Sequence, residues 1–359
     1  MKHFLLTFLL LTILSCSKEA DPAPEVDKVL RSACTTEDLE SQMNKTLSAL
    51  VTDTDFSLSV ERSDGRKYTF NKGAVTQATK LESASTSKLV TTVILLRLVD
   101  QGVLQLSDKP QTYITSWPVP VSDPLYNINL SQLLNFTSGL ENEALCLNAG
   151  AFNFENCVIN TANINIGNGA APGAKFYYSG SHLQVAGLMA IKAKNVSSWQ
   201  DIFTAFKNET GLFSTSAYDL PSSSNPRLAG GMHWTGSEYL AFLKALKSGT
   251  LLSPAMFIQL TSDQTSNVIF GYSPVVAGIN EDWHFGFGIW HECQSSTYNC
   301  SPGTRMSNPG AYGAYPFWDK QKNYFGIVAR QGALGTYKNG LAVERAVRAT
   351  LDDWATCAK

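Results

Sequence analysis

Apolar and polar positions near the start of the chain follow first a helical and then a strand pattern. Between Thr35 and Val51, apolar side chains recur every three or four residues, which predicts an amphipathic helix with a threonine cap. Two short alternating segments then flank Ser63-Asp64-Gly65. Alternation around an Asp-Gly turn is typical of a β-hairpin, so we predict one here. Its apolar positions are Phe56, Leu58, Val60, Tyr68 and Phe70.

The middle of the chain has mostly helical patterns. The segment Lys88–Gln101 is apolar on all sides, which is typical of a helix buried in the core. Between Leu106 and Thr265 the sequence is rich in loops with scattered helical patterns. A capping box at Thr235–Glu238 predicts the start of a helix that continues through Leu246.

Strand patterns return near the end of the chain. We predict strands over 284–290, 310–317 and 324–328, with a turn at Asp319–Lys322 between the last two. Segment Asn339–Ala358 is amphipathic and predicts a closing helix.

Together these patterns predict an α+β fold, an α/β sandwich. Strands from both chain ends would form one antiparallel sheet that is flanked by the terminal helices, and a mostly helical lobe would be inserted between them. The sheet lobe would comprise 34–84 and 283–359, and the helical lobe 85–282. A cleft between the two lobes is the expected place for a site.

The composition bounds the class of protein without identifying it. The chain has 359 residues, of which 44% are hydrophobic and 16% charged, and its formal net charge is −2. Such a chain can bury a large core and is not disordered. The near-neutral charge excludes a strongly basic nucleic-acid binder, and no later apolar run is long enough for a transmembrane helix.

The N-terminus has the pattern of an export signal. A short basic start precedes the apolar stretch Phe4–Leu14, which is too short to span a membrane as a stable helix. Ile13-Leu14-Ser15-Cys16 resembles the lipobox of bacterial lipoproteins, which implies cleavage before Cys16 and lipidation of its sulfur. We predict a signal peptide over 1–15, a polar tether over 16–33, and a lipid-anchored protein of the bacterial envelope, on the periplasmic side or in the outer membrane. The alternative is an ordinary signal peptide that ends in a chance cysteine.

Six cysteines follow Cys16, and an even number in an exported protein favours disulfides. Although six cysteines allow fifteen pairings, spacing favours the local bridges Cys146–Cys157 and Cys293–Cys300. Cys34 would then pair with Cys357 and join the two ends of the domain. The alternative is a zinc site, which lacks close C-x-x-C spacing. Its four ligands would be His284, His291, Cys293 and Cys300.

The tetrapeptide Ser85-Thr86-Ser87-Lys88 stands directly before the predicted buried helix. A serine hydroxyl at a helix start lies near the positive end of the helix dipole, and its own N–H is free to bind an oxyanion. Lys88 shares the helix face, and burial can remove its proton so that it serves as a base. The alternative is a capping serine. A second Ser-x-x-Lys, at Ser15 and Lys18, falls on the signal cleavage site and has no such context.

Five segments occur in a characteristic order along the chain. They are Ser85–Lys88, Gln101–Asp108, Leu133–Leu140, Pro172–Ser179 and Phe285–Trp290. Together they resemble segments of the serine β-lactamase and penicillin-binding-protein superfamily, and the closest likeness is to its class C-like branch, with D,D-peptidases, D-aminopeptidases and family VIII esterases. The resemblance covers about Cys34 to Cys357 and implies a sheet with a helical lobe and acyl-enzyme chemistry.

The resemblance also implies roles for single residues. Ser85 would be the nucleophile, Lys88 its general-base partner, and Tyr178 a second acid–base group whose pKa is lowered by the nearby lysine. The oxyanion would be bound by the N–H groups of Ser85 and of Gly310, or of Ala311 if the alignment slips by one residue.

Two motifs of that superfamily are altered here. Its Tyr-x-Asn becomes Tyr178-Ser179-Gly180, which removes an amide that helps to position the lysine and hold the substrate amide. Its Lys/His-Thr/Ser-Gly motif becomes Ser307-Asn308-Pro309-Gly310, which lacks the cation that contacts a substrate carboxylate. The resemblance still puts five residues at the oxyanion and substrate site. They are Gly180, Ser307, Asn308, Gly310 and Ala311.

Other candidate residues are interpreted as structural. Lys247-Ser248-Gly249 falls where a helix ends, and lysine and glycine are ordinary residues there. Tyr337-Lys338-Asn339 has a Tyr-x-Asn pattern but follows the last predicted strand. His182 and His233 are isolated histidines that we expect to be structural.

We therefore predict a serine hydrolase that forms an acyl-enzyme at Ser85, on small esters or on (D-)amino-acid peptides and amides. Two alternatives stay open: a catalytically impaired, penicillin-binding-like binding or sensor lipoprotein, and a weak class C-like β-lactamase. No metal or organic cofactor is implied. We expect a monomer with a small-molecule or peptidoglycan-like substrate, with a lipid anchor as its contact with the membrane.

Overall fold

The computed structural model describes residues 34–301 and 303–358. The predicted signal peptide, the lipidation site Cys16 and the tether lie outside the described residues. Within the described ranges, no helix is both long enough and apolar enough to cross a membrane. The helices there are α1 (Thr36–Ala49), α2 (Ser87–Asp100), α3 (Pro110–Tyr113), α4 (Leu130–Leu134), α5 (Phe154–Asn165), α6 (Ser181–Ala193), α7 (Trp199–Thr210), α8 (Gly236–Lys247), α9 (Pro254–Thr261), α10 (Pro274–Ile279), α11 (Tyr337–Arg345) and α12 (Arg348–Thr356). The strands are β1 (Phe56–Arg62), β2 (Lys67–Lys72), β3 (Lys80–Glu82), β4 (Lys175–Tyr177), β5 (Ala217–Tyr218), β6 (Met232–Thr235), β7 (Ile269–Tyr272), β8 (His284–Phe285), β9 (Trp290–His291), β10 (Arg305–Ser307), β11 (Tyr315–Asp319) and β12 (Tyr324–Ala329).

The largest sheet joins strands from both ends of the chain, as predicted. Its order is β2-β1-β12-β11-β10-β9-β8, and every neighbouring pair is antiparallel. The predicted hairpin forms β1 and β2, and β1 also pairs with β12 in a register that sets Leu58 opposite Val328. The predicted mixed fold with an antiparallel sheet and many helices is confirmed.

Helices from different parts of the chain cover the two faces of this sheet. Tyr68 of β2 lies on one face, where its hydroxyl donates to Asn44 of α1 at 3.0 Å and its ring contacts Trp354 of α12. Side chains alternate along a strand, so Glu61 of β1, next to the residue opposite Tyr68, points to the other face. There its carboxylate lies 2.6 Å from Lys244 of α8. The terminal helices thus cover one face as predicted, while a helix from the middle of the chain covers the other.

Several predicted elements near the end of the chain are wrong in detail. The stretch 284–290 is a tight hairpin of β8 and β9 rather than one strand, because Gly288 turns the chain with a φ of 65°. Residues 310–314 form a glycine-containing turn, so β11 begins only at Tyr315. The closing helix is broken into α11 and α12 because Val347 leaves the helical range, with φ −119° and ψ 1°. Strand β10 was not predicted, since three residues are too few to show alternation.

Helix α2 is buried as predicted, and the middle of the chain fixes its start. The Ser83 N–H donates to the Met232 carbonyl at 2.8 Å, which anchors the end of β3 on β6 directly before the helix. Within the helix, Thr91 donates to the Leu228 carbonyl at 2.8 Å and lies 2.7 Å from the Tyr218 hydroxyl. The residues between β3 and α2 are therefore held in one position from two sides.

All three predicted disulfides are present. Cys34–Cys357 joins the residue before the α1 cap to the residue after α12, and Cys146–Cys157 and Cys293–Cys300 close local loops. Because Cys293 and Cys300 are bonded to each other, they cannot supply thiolates to the alternative zinc site. His284 instead lies with its Nδ1 2.5 Å from a carboxylate oxygen of Asp263.

Candidate active site

Ser85 lies in a single 3₁₀ turn, Ala84–Thr86, between β3 and α2. Ala84 has a φ of 44°, a left-handed conformation that is uncommon outside glycine and is often found at functional sites. Buried aromatic side chains hold the turn: the Tyr239 hydroxyl donates to the Thr86 carbonyl at 2.9 Å, and the Trp234 indole donates to the Thr86 hydroxyl at 3.0 Å. Helix α2 has Thr86 at its cap position. The alternative in which Ser85 caps the helix is therefore wrong.

Lys88 is the second residue of α2 and reaches back to the serine. Its Nζ is 2.8 Å from Ser85 Oγ and 2.9 Å from the Ala229 carbonyl oxygen. The residue is only 3% exposed. Burial lowers the pKa of Lys88 to about 7, and the positive charge of Arg227 lowers it further while Glu143 opposes this. A large fraction of the amine is thus unprotonated at neutral pH and can accept the Ser85 proton.

Tyr178 lies beside this pair, at the end of β4. The Lys88 Nζ is 4.7 Å from the centre of the Tyr178 ring, and the Trp290 ring stacks on the Tyr178 ring with centroids 5.3 Å apart. The predicted lowering of the Tyr178 pKa is wrong. Burial raises the pKa of Tyr178 to about 12, which outweighs the opposite influence of hydrogen bonds with Ser85 and Trp290. The phenol therefore keeps its proton and is suited to donate it.

A cavity of about 90 Å³ opens beside Ser85 and Tyr178. None of the described residues that line it has a charged side chain, so it suits an uncharged, apolar group. Besides Ser85 and Tyr178, the lining residues are Pro274, Val275, Trp290, Pro309, Ala311 and Tyr337.

Tyr337 is a wall of the cavity that the sequence interpretation placed outside the site. Its hydroxyl donates to the Pro274 carbonyl at 2.9 Å, and the start of α10 is thereby fixed over the cavity. A Cβ at Gly278 would lie only 2.0 Å from that hydroxyl, so a larger residue here would force Tyr337 or α10 to shift. A second link joins Arg345 of α11 to Glu281 through two hydrogen bonds of 2.6 and 2.7 Å.

The turn after β10 supplies one candidate oxyanion donor but not the one first assigned. The Gly310 N–H donates to the Ala314 carbonyl at 2.8 Å, so its assignment as an oxyanion donor is wrong. A Cβ at Gly310 would lie 2.5 Å from the Ser83 carbonyl oxygen, so this turn packs closely against the residue that precedes the turn Ala84–Thr86. Ala311 lines the cavity with Ser85. In the described part of the chain, neither of their N–H groups has a hydrogen-bond partner, so both are available to an oxyanion.

Three other predicted site residues do not line the cavity. Ser307 is buried in β10, where it pairs with Trp290 and Phe317. Asn308 is buried and donates its side-chain amide to the Gly288 carbonyl, so it holds the β8–β9 turn. The Gly180 N–H donates to the carboxylate of Glu143. Each of the three residues thus has a structural role, and its binding of substrate stays a prediction.

The candidates interpreted as structural do have structural contacts, and of these candidates Tyr337 also lines the cavity. His182 is buried, with its two ring nitrogens 2.8 Å from the Ser138 hydroxyl and 2.9 Å from the Tyr177 carbonyl, and burial lowers its pKa to about 4. Its neutral ring supports the segment that carries Tyr178. Lys247-Ser248-Gly249 ends α8, where Gly249 has a φ of 74°. His233 pairs with Asp219 at 2.5 Å and does not line the cavity.

Comparisons with known proteins place this geometry in a family. A model of the family described as Beta-lactamase matches residues 58–346, well over half of the chain. A search of the curated proteins finds no match.

Solved structures agree in fold. The chain is similar to a putative beta-lactamase from Bacteroides dorei DSM 17855, with a TM-score of 0.71 and 21% identity over 88% of this chain and 98% of that one. It is also similar to EstCE1, a hydrolase with promiscuous acyltransferase activity (TM-score 0.68, 17% identity, 89% and 99% covered). A third similar structure is D-amino acid amidase from Ochrobactrum anthropi SV3 (TM-score 0.66, 13% identity, 89% and 99% covered). With a family model that spans most of the domain and a shared fold, the protein belongs to the Beta-lactamase family of hydrolases.

Proposed function

We propose that this protein is a serine hydrolase that forms an acyl-enzyme at Ser85, with small uncharged esters as its best substrates and amino-acid amides next. The observation that carries the proposal is the 2.8 Å distance between Lys88 Nζ and Ser85 Oγ. A base with a pKa of about 7 is well matched to proton transfer at neutral pH. The contact lies beside an apolar cavity that can receive part of a substrate.

The reaction follows from these positions. Lys88 accepts the hydroxyl proton as Ser85 Oγ bonds to the carbonyl carbon, and the N–H groups of Ser85 and Ala311 stabilise the oxyanion. When the tetrahedral intermediate collapses, the bond to the leaving group breaks, and Tyr178 donates the proton that the alkoxide or amine needs. Lys88 returns its proton to the phenolate. Water then adds to the acyl-serine, and release of the acid regenerates the Ser85 hydroxyl.

The cavity lining favours uncharged substrates. Asn308 stands where the third motif would place its cation. Pro309 and Ala311, which follow Asn308 and line the cavity, cannot pair with a substrate carboxylate. β-Lactam antibiotics carry such a carboxylate, so we rank them below esters. Among similar structures, one is named as a hydrolase with acyltransferase activity and one as a D-amino acid amidase, which agrees with ester and amide substrates.

The test combines covalent labelling with turnover. Intact mass is measured after exposure to a fluorophosphonate probe, and 4-nitrophenyl butyrate, D-phenylalanine amide and nitrocefin are compared as substrates. We expect one probe adduct and ester turnover in the native protein, both lost in Ser85→Ala, with nitrocefin turnover far slower. Ser87→Ala is the matched control, because Ser87 is buried and hydrogen-bonds to Ser83 and the Met232 N–H rather than facing the cavity.

Two outcomes would overturn this proposal. A folded native protein that takes no probe would favour the binding or sensor alternative. Nitrocefin turnover comparable to that of the ester would favour the β-lactamase alternative.

We further propose that the protein is exported and anchored in the bacterial envelope through a lipid on Cys16. The support is the resemblance of Ile13–Cys16 to a lipobox. Radiolabelled palmitate should enter the native protein expressed in bacteria and not Cys16→Ser. Labelling of both forms, or of neither, would contradict the anchor.

A further inference from the structure

The ion pair between Arg227 and Glu143 acts electrostatically on Lys88, and neither residue lines the apolar cavity. Arg227 donates to a carboxylate oxygen of Glu143 at 2.6 Å and to the side-chain oxygen of Asn148 at 2.5 Å. The other carboxylate oxygen of Glu143 accepts the N–H of Gly180, two residues after Tyr178. The pair is about one-third exposed, with side-chain exposures of 28% for Arg227 and 32% for Glu143.

Residue 180 is a glycine, and the space that a side chain would need there is occupied by this ion pair. The φ of Gly180 is −82°, so the backbone itself would accept any residue. The obstacle is space: a Cβ would lie 3.0 Å from the Glu143 carboxylate and 3.3 Å from both Arg227 Nε and the Ala229 Cβ. Ala229 in turn accepts the hydrogen bond from Lys88. The position that a side chain at residue 180 would take is therefore next to the ion pair, to the segment that carries Tyr178 and to Ala229, whose carbonyl binds Lys88.

We propose that Arg227 and Glu143 form a positioning pair that fills the place of a side chain at residue 180 and sets the charge state and position of Lys88. This proposal rests on the proposed function, in which Lys88 is the base. Neither residue lines the cavity beside Ser85, so both act through Lys88 and the Tyr178 segment rather than on substrate.

The two charges act on Lys88 with opposite sign. The groups that surround its amine and can carry charge are Tyr178, His182, Glu143 and Arg227. Tyr178 and His182 are both neutral at pH 7, since burial raises the pKa of the phenol and lowers that of the imidazole. Arg227 therefore favours the neutral amine, and Glu143 favours the ammonium.

The pH dependence of probe labelling tests this arrangement. The acid limb is the pH range in which the fluorophosphonate labelling rate rises as Lys88 loses its proton. Loss of the positive charge in Arg227→Gln should move this limb to higher pH. Loss of the negative charge in Glu143→Gln should move it to lower pH, in each case by on the order of 0.5 to 1 pH unit for partly exposed charges. A merely structural pair would alter stability in both variants without opposite shifts.

Matched controls separate charge from general disturbance. Arg227→Lys keeps the charge and should leave the limb near its native pH. Glu155→Gln and Lys192→Gln break another partly exposed ion pair, of 2.7 Å, and should cause no shift. The proposal is wrong if, in both Arg227→Gln and Glu143→Gln, the labelling rate rises over the same pH range as in the native protein, or if the two variants shift this range in the same direction.

Residue 180 gives an independent steric test. Gly180→Asn should lower the labelling rate strongly in the native background, because the new side chain collides with the pair. In an Arg227→Ala/Glu143→Ala background, where two of the three close contacts are removed, the same substitution should cost at least tenfold less. Equal losses in both backgrounds would show that residue 180 and the pair are not coupled.

A direct titration separates failure of this inference from failure of the proposed function. The ¹³Cε resonance of Lys88, assigned by its loss in Lys88→Met, reports the amine without any catalysis. Opposite shifts in the two charge variants would support the positioning pair even in a protein that takes no probe. An unchanged titration beside Ser85-dependent labelling would overturn the pair and leave the hydrolase standing.

Discussion

The amine of Lys88 lies 2.8 Å from the Ser85 hydroxyl oxygen, and in the described part of the chain it forms an ion pair with no carboxylate. A buried lysine without a counter-ion loses its proton easily. Burial lowers the pKa of Lys88 to about 7, and in the proposed mechanism the unprotonated amine is the active form. If that mechanism holds, this one side chain governs both the pH range of activity and part of the stability of the fold.

The first prediction concerns activity against pH. We expect kcat/KM for 4-nitrophenyl butyrate to rise about tenfold per unit below pH 7, as Lys88 loses its proton, and to level off above it. Burial raises the pKa of Tyr178 to about 12, so no fall is expected between pH 8 and pH 10. A bell-shaped profile with a second limb in that range would indicate that the pKa of Tyr178 is lowered, as the resemblance implies.

The second prediction concerns stability. In the folded protein the pKa of Lys88 is depressed from 10.5 to about 7, so between these values the unfolded chain binds one more proton and stability falls as the pH is lowered. Lys88→Met should abolish activity and yet raise the free energy of unfolding at pH 7 by about 2–4 kcal/mol, less than the full shift implies because two hydrogen bonds are lost.

Urea unfolding at several pH values checks this. The gain of Lys88→Met over the native protein should shrink as the pH approaches 10.5 and stay constant below about 7. Lys192→Met, at an exposed lysine on α6, is the control and should show no such trend. A Lys88→Met protein less stable than the native one at pH 7 would contradict the burial cost.

The part of the site that is local in sequence could be predicted. Ser85 and Lys88 are three residues apart on one helical turn, so their contact follows from the pattern alone. The β1–β2 hairpin and the strand at 324–328 were equally clear, because alternation and an Asp-Gly turn are local signals.

The rest of the site depends on contacts between distant segments. Tyr337 reaches the cavity only because α11 docks under α10, and nothing in the sequence near Tyr337 signals this. Arg227 and Glu143 are 84 residues apart and meet across two loops. Burial raises the pKa of Tyr178, and the residues around its ring include Lys88 and Trp290, which are distant in sequence. The local sequence pattern therefore could not predict the direction of this pKa shift.

The third prediction concerns the size of the acyl group. Tyr337→Ala removes one wall of the cavity, so longer esters should gain relative to short ones. Each buried methylene contributes about 0.8 kcal/mol, so two additional ones should shift the preference for hexanoyl over butyryl esters by roughly tenfold. The measurement is the ratio of kcat/KM for the two 4-nitrophenyl esters.

Two further variants make this test specific. Tyr337→Phe keeps the wall and loses only the hydrogen bond to Pro274, so its ester preference should stay native. Tyr126→Ala, at a tyrosine beside Lys109 that does not line the cavity, should also leave the ratio unchanged. An unchanged ratio in Tyr337→Ala would show that the acyl group binds elsewhere.

The last prediction concerns the disulfide that joins the chain ends. Cys34 and Cys357 are separated by 323 residues, while Cys293 and Cys300 are separated by 7. A cross-link restricts the unfolded chain more when it closes a longer loop, so Cys34→Ser/Cys357→Ser should lower the free energy of unfolding by about 2–5 kcal/mol. Cys293→Ser/Cys300→Ser is the matched control with the smaller expected loss. Since neither pair lines the cavity, both variants should keep their ester turnover at 25 °C while they differ in urea midpoint. A larger loss from the short loop would mean that native contacts around Cys293–Cys300, rather than chain entropy, dominate the stability that these bridges provide.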